Sequence, residues 1–183
     1  MEVTSPSFER AQVPQQLEPS LRLYRRLWLA DIDLAEAKAT IDELLKSKIP
    51  LPRRNRGPPL LMALTTALVV SYARPFVNSR GQSAVANKTV PGSLLRVLTA
   101  REREFHEWIL GIRNREVAHS DAEALELSLH LYPNGHGAIL RVSREPFRRV
   151  ELRALRRMIE KLTGEIETEC QRLRKVLPLN VWL

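Results

Sequence analysis

The segment from Leu60 to Val70 constrains this chain most. Leu60, Leu61, Met62, Leu64, Leu68, Val69 and Val70 leave almost no polar side to a helix. A helix apolar nearly all round has to be surrounded by other elements, so it belongs in the middle of a bundle. Pro58 or Pro59 suits its first turn, where a missing N–H is tolerated, and Pro75 ends or kinks it just past Arg74. Thr65 and Thr66 interrupt the run, which is far shorter than the about 20 apolar residues of a membrane span. Elements able to cover it are legible on both sides. Leu23, Leu27, Ala30, Leu34, Ala37, Ile41 and Leu44 line one face of a helix from about Leu21 to Lys46, stopped by Pro50 and Pro52. Leu152, Leu155, Ile159, Leu162, Ile166, Cys170, Leu173 and Leu177 form a near-heptad stripe on a last helix over roughly 148–176.

Between these lies a third helix, starting at Leu94 or Thr99 and running to Ala118, with Phe105, Trp108, Ile109 and Ile112 as its buried stripe. Val77 to Ser93, rich in Asn, Ser, Gly and Pro, reads as a long loop. Leu125, Leu127, Leu129 and Leu131 then alternate with polar residues, and Asn134-Gly135 precedes a second short run from Ala138 to Val142. That pattern predicts a β-hairpin over about 125–142. The expected fold class is all-α: a bundle of about four main helices with one small hairpin between the third and the fourth. Residues 1–19, with Pro6, Pro14 and Pro19, read as a flexible N-terminal arm, and 20–183 as one domain.

Composition narrows the function. Lys and Arg number 29 against 21 Asp and Glu, a formal charge of +8, which favours a polyanionic partner such as nucleic acid. Cys170 is the single cysteine, which excludes an internal disulfide or a cysteine-based zinc site and fits a reducing compartment. Met1 to Ser20 has no apolar core, so the expectation is a cytoplasmic protein without a membrane segment. No Gly-rich phosphate loop, two-histidine helix or nucleophile elbow occurs, and no cofactor or metal is expected. Asp31, Asp33 and Glu36 read as a hydrated helix face, and His106, His130 and His136 as surface residues. Trp28, Trp108 and Tyr72 read as core, and Cys170 as a packing residue.

His119 differs, because Arg113-Asn114 precedes it at the end of the third helix. Arginine and histidine together serve metal-free RNA cleavage. A histidine can take a proton from a ribose 2′-hydroxyl or give one to the leaving 5′-oxygen. Arginine stabilises charge building on the phosphoryl oxygens, and the Asn114 amide can orient a phosphate oxygen or the imidazole. On an ideal helix Arg113 and His119 lie about 120° apart. A shared site therefore needs a frayed or kinked helix end, or two copies meeting across a twofold axis. The plainer alternative is that these residues cap the helix, where cations gain roughly 0.3–1 kcal/mol from the macrodipole.

This run, an arginine, a polar residue and a histidine after five intervening residues at the end of a third helix, resembles the motif of the HEPN superfamily (higher eukaryotes and prokaryotes nucleotide-binding). The Arg74-Pro75-Phe76 ending of the second helix is similar to a branch of HEPN-like proteins linked to abortive phage infection. The resemblance implies a metal-independent endoribonuclease, commonly a toxin or antiviral effector with an antitoxin or regulatory partner. It would act as a homodimer on single-stranded RNA or tRNA loops and leave 2′,3′-cyclic phosphate ends. His119 would then be the acid/base residue, Arg113 the phosphate stabiliser and Asn114 its companion. Arg53, Arg54, Arg74, Arg115, Arg149 and Arg153 are candidate RNA contacts. The alternative within the same fold is a non-catalytic interaction protein or an RNA- or nucleotide-binding module.

Overall fold

A computed structural model of the chain describes residues 14–47, 59–78, 86–114 and 147–178. These form four helices and two short 3₁₀ turns: α1 (Glu18–Lys46), α2 (Pro59–Ala73), α3 (Ala100–Ile112) and α4 (Arg149–Arg174), with turns at Gln15–Leu17 and Gly92–Val97. The described residues are mostly helical and include no strand. The predicted hairpin at 125–142 lies outside them.

The order across the bundle is α3, α2, α1, α4, and the Gly92–Val97 turn packs on α4. The α1 stripe is fully buried, with Leu27, Ala30, Leu34, Ala37 and Ile41 inaccessible to solvent. It meets the α4 stripe of Leu152, Leu155, Met158, Ile159 and Leu162, which is buried to the same degree. Polar contacts at the edge fix the pair as antiparallel. Arg149 Nη1 donates to the Leu45 carbonyl (3.2 Å), Arg156 Nε to Asp42 Oδ1 (2.9 Å), and Arg174 Nε to the Tyr24 hydroxyl (2.7 Å). Each step down α1 is matched by a step up α4.

α2 runs antiparallel to α1, its C-terminal end lying beside Arg26, Asp33 and Glu36. It sits between α1 and α3, as its all-round apolar pattern predicts, with Leu61, Leu68, Val69 and Tyr72 in the core. Its covering is incomplete, since Leu60 is 59% exposed and Ala63 and Ala67 are also exposed.

Several boundaries differ from the sequence expectation. α1 begins at Glu18, not near Leu21, and the preceding 3₁₀ turn takes Gln15–Leu17 out of the expected arm. Pro19 does not delay the helix, because it occupies the first turn, where no intrahelical N–H bond is required. The expected loop at 77–93 is organised at its far end. Val90 N–H donates to the Pro75 carbonyl (3.0 Å) and Asn87 N–H to the Arg22 carbonyl (3.3 Å), after which Leu94 and Leu98 enter the core.

α3 starts at a reciprocal cap. The Glu102 N–H donates to Thr99 Oγ1 (3.3 Å), and Glu102 Oε2 accepts the Thr99 N–H (2.8 Å). Lys161 Nζ on α4 donates to both oxygens of the same carboxylate at 2.7 and 2.8 Å, which ties the start of α3 to the last helix. These bonds hold the Glu102 carboxyl below its ordinary range, Lys161 contributing most. Thr99→Ala removes one half of this cap and is expected to lower stability by about 1 kcal/mol, or about 2–4 °C in Tm. A thermal melt showing no change would locate the anchoring of α3 elsewhere.

Candidate functional site

The Arg113-Asn114 pair stands at the C-terminal end of α3. The Arg113 N–H still bonds to the carbonyls of Ile109 and Leu110, and its side chain is half-buried. Its guanidinium Nη1 donates to Asn114 Oδ1 (3.0 Å), while Asn114 itself is exposed. Arg113 continues the inward register of α3, since His106, Ile109 and Arg113 follow at helical spacing on one face. Among the described residues no carboxylate pairs with Arg113. His119 and Arg115 lie outside the described residues, as do Arg53 and Arg54.

The other expected RNA contacts divide. Arg74 is committed within the chain, its Nη1 reaching Asp33 Oδ1 at 3.2 Å and Glu36 Oε2 at 3.1 Å. Arg149 is exposed but donates to the Leu45 carbonyl, where a cation meets the C-terminal carbonyls of α1. Arg153 is exposed one turn further along α4, and Arg157 follows at the same spacing. Arg156, on the neighbouring side, is neutralised by Asp42 and Glu160.

The Arg74 carboxylates correct one expectation. Asp33 and Glu36 are part of a junction between α1 and α2, not a merely hydrated face. Ser71 Oγ also donates to Glu36 Oε2 (3.2 Å). Arg26 completes the junction. It is 8% exposed, and its Nη2 donates to the Arg74 carbonyl, satisfying an acceptor that the end of α2 leaves open. Burial lowers the Arg26 pKa, and the nearby Asp33 charge opposes that shift. Burial likewise raises the Asp33 pKa, against the pull of Arg74 and Arg26. With two cations facing two carboxylates, the junction locks helices together and does not present free positive charge. Sequence reasoning missed Arg26. The available signal was a cation flanking the apolar stripe of α1, with Asp33 seven residues on.

His106 is a second correction. It is 1% exposed, not a surface residue, because it shares the inward face of α3 with Ile109. Its Nδ1 lies 2.9 Å from the Tyr72 hydroxyl, and the Phe76 ring meets it edge-on at 4.6 Å. Burial lowers its pKa and raises that of Tyr72. The Tyr72 hydroxyl and the imidazole Nδ1 thus serve each other as hydrogen-bond partners inside the core. Tyr72 is in the core as expected, but Trp28 and Trp108 are not, at 46% and 44% exposed. Each directly adjoins a buried residue, Leu27 or Ile109, and the helical turn carries it off the core face. Trp108 is half covered by stacking on Phe105 at 5.5 Å and by the Phe147 ring at 5.7 Å. Cys170 is buried on the α4 stripe as read, and burial raises its thiol pKa. Among the described residues no group of three or more His, Cys, Asp or Glu side chains gathers as metal ligands. None of the described helices is long and apolar enough to cross a membrane.

No protein-family model, curated protein or solved structure matches this chain.

The His106 environment has a pH consequence with a definite sign. Its folded pKa lies below the ordinary 6.5, so below that pH the unfolded chain binds the extra proton more readily. The stabilisation is complete above pH 6.5 and is lost as pH falls through the folded value. A double variant, Tyr72→Phe with His106→Leu, removes both polar partners and should melt with a weaker acid dependence below pH 6.5 than the parent chain. Parallel Tm-against-pH curves for the two proteins would refute this assignment.

Proposed function

We propose that this chain is a metal-independent endoribonuclease of the HEPN type, acting as a homodimer on single-stranded or unpaired RNA in a toxin or antiphage setting. The observation that carries the reading is the state of Arg113. It closes the third helix of an antiparallel bundle, hydrogen-bonded to the neutral amide of Asn114 and unpaired with any described carboxylate. Arg74 and Arg156, by contrast, each sit against carboxylates of α1. A guanidinium left with a neutral partner keeps its charge available for a phosphoryl oxygen. The exposed Arg153 and Arg157 on α4 add positive surface that phosphates would find.

In this reading His119 takes the 2′-hydroxyl proton or protonates the leaving 5′-oxygen, and Arg113 stabilises the charge on the phosphorus centre. Asn114 holds the guanidinium in line. The 2′-oxygen attacks the adjacent phosphorus and the bond to the 5′-oxygen breaks, leaving a 2′,3′-cyclic phosphate and a 5′-hydroxyl. Cytoplasmic location and an antitoxin or regulatory partner belong to the same reading.

The test is incubation of the purified protein with a mixed RNA pool in EDTA, followed by mapping of fragment ends. Wild type should yield cyclic-phosphate ends. His119→Ala should cleave about 10²–10⁴-fold more slowly and Arg113→Ala about 10²–10³-fold more slowly, with their melting curves preserved. Equal cleavage by all three proteins would remove Arg113 and His119 from the reaction, and none by a folded wild type would leave the same bundle as a non-catalytic interaction or RNA-binding module.

A further inference from the structure

The face of α1 turned away from the core is itself apolar. Trp28, Ile32, Ala35 and Ala39 recur at steps of four, three and four, and all four are exposed, Trp28 at 46% and Ile32 at 40%. Leu29 widens the stripe at 43% exposure. The helix already buries its other stripe against α2 and α4, so nothing in the core of the described residues requires this second one. Scattered exposed apolar residues are ordinary, but a contiguous patch with helical spacing marks a contact surface.

We infer that this face joins two copies of the chain through antiparallel pairing of α1 with the partner's α1. The sequence of the stripe is what selects a second copy as occupant. Its large residues are at the N-terminal end and its small ones at the C-terminal end, so a twofold axis between positions 33 and 34 puts large against small. Trp28 then lies over the partner's Ala39, and Ile32 over the partner's Ala35, each contact occurring twice as an isologous interface requires. The spacing is that of alternating a and d positions, which face one another across antiparallel helices. Parallel pairing would set Trp28 against the partner's Trp28 and leave the alanines facing each other across a gap.

Charge agrees with the same register. Along one edge of the stripe Arg22 falls within two residues, about 3 Å, of the level of the partner's Glu43, and along the other Asp31 does the same with the partner's Lys38. Arg22 and Glu43 are exposed, and among the described residues they make only local ion pairs, with Glu18 at 3.4 Å and with Lys46 at 3.7 Å. Lys38 is also held by Glu160 at 3.3 Å, which fixes its ammonium beside that edge. The contact from Arg22 to Glu43 covers about 30 Å of helix. The inference rests on the homodimer of the preceding reading, whose surface it names, and is independent of whether Arg113 and His119 cleave RNA.

Sedimentation of the full chain over micromolar concentrations tests it. The wild type should reach twice the 21.0 kDa chain mass. Ile32→Glu should raise the dimer dissociation constant by about tenfold or more while the circular dichroism melt of the monomer holds. Arg22→Glu and Glu43→Arg should each weaken the dimer by about threefold to thirtyfold, and the two changes in one chain should restore it. A dimer indifferent to Ile32→Glu would overturn this face and leave the homodimer standing. Loss in both single charge variants without recovery in the double would overturn the antiparallel register. A monomeric wild type would overturn the homodimer and this interface together, whatever the RNA assay gives.

Discussion

Everything described in this chain hangs on the seam between α1 and α4. Each contributes an apolar stripe that is inaccessible or nearly so, from Leu27 to Leu44 on one side and Leu152 to Leu173 on the other. Apolar contact alone is indifferent to sliding by a turn, because leucines one heptad apart are interchangeable knobs. The polar edge removes that freedom. Arg149, Arg156 and Arg174 meet Leu45, Asp42 and Tyr24 in an order that only one antiparallel register allows. The exposed pairs among these add little stability each. Their contribution is to make the other registers worse, since a one-turn slip would move Arg156 from Asp42 to the level of Lys38 or Lys46. With the seam fixed, α2 and α3 are added to a defined surface, α2 through the Arg26–Arg74 junction and α3 through Tyr72 and Lys161.

The helices were legible in the sequence because their stripes are long and strongly periodic. Leu27 through Ile41 and Leu152 through Leu173 were all assigned to the face that turns out to be buried. Failures cluster where a residue's type and its position disagree. His106 looked superficial because histidine usually is. Nothing local announces that Tyr72, 34 positions earlier, will supply a hydroxyl to its Nδ1. Trp28 and Trp108 looked like core because tryptophan usually is, although each stands one residue from the apolar stripe, and 100° of helix is enough to expose it. Asp33 and Arg26 share the reason: buried charge is intelligible only with its partner, and the partner here is the end of a different helix.

The candidate site was legible to a different extent. The motif Arg113-Asn114 is a local pattern, so its place at the end of the third helix could be read directly. Which arginines stay available to a ligand could not. Arg74 and Arg153 are equally basic in sequence, yet one closes a junction with two carboxylates and the other is exposed on α4. Net charge does not distinguish them. What does is the distribution of acidic residues, since Asp33, Glu36 and Asp42 lie on the α1 faces against which α2 and α4 pack. Among the described residues, Arg74 and Arg156 at the helix junctions are balanced by carboxylates, Arg149 and Arg174 meet neutral oxygens, and Arg153 and Arg157 face outward.

α1 shows how one helix can serve two ends without conflict. Its inner stripe is complete in the monomer, with Leu27, Leu34 and Ile41 fully covered, so folding needs nothing from the opposite side. The opposite side is then free to vary, and polar residues there would cost the monomer nothing. A tryptophan, a leucine and an isoleucine stand on it instead, and the packing of the four described helices does not account for them. Exposed large apolar side chains carry a hydration penalty and an aggregation risk in the isolated molecule. Grading them from large to small along the helix, with opposite charges towards the two ends of each edge, favours one antiparallel arrangement. The same device that sets register inside the bundle, apolar contact limited by charged edges, then operates on its surface.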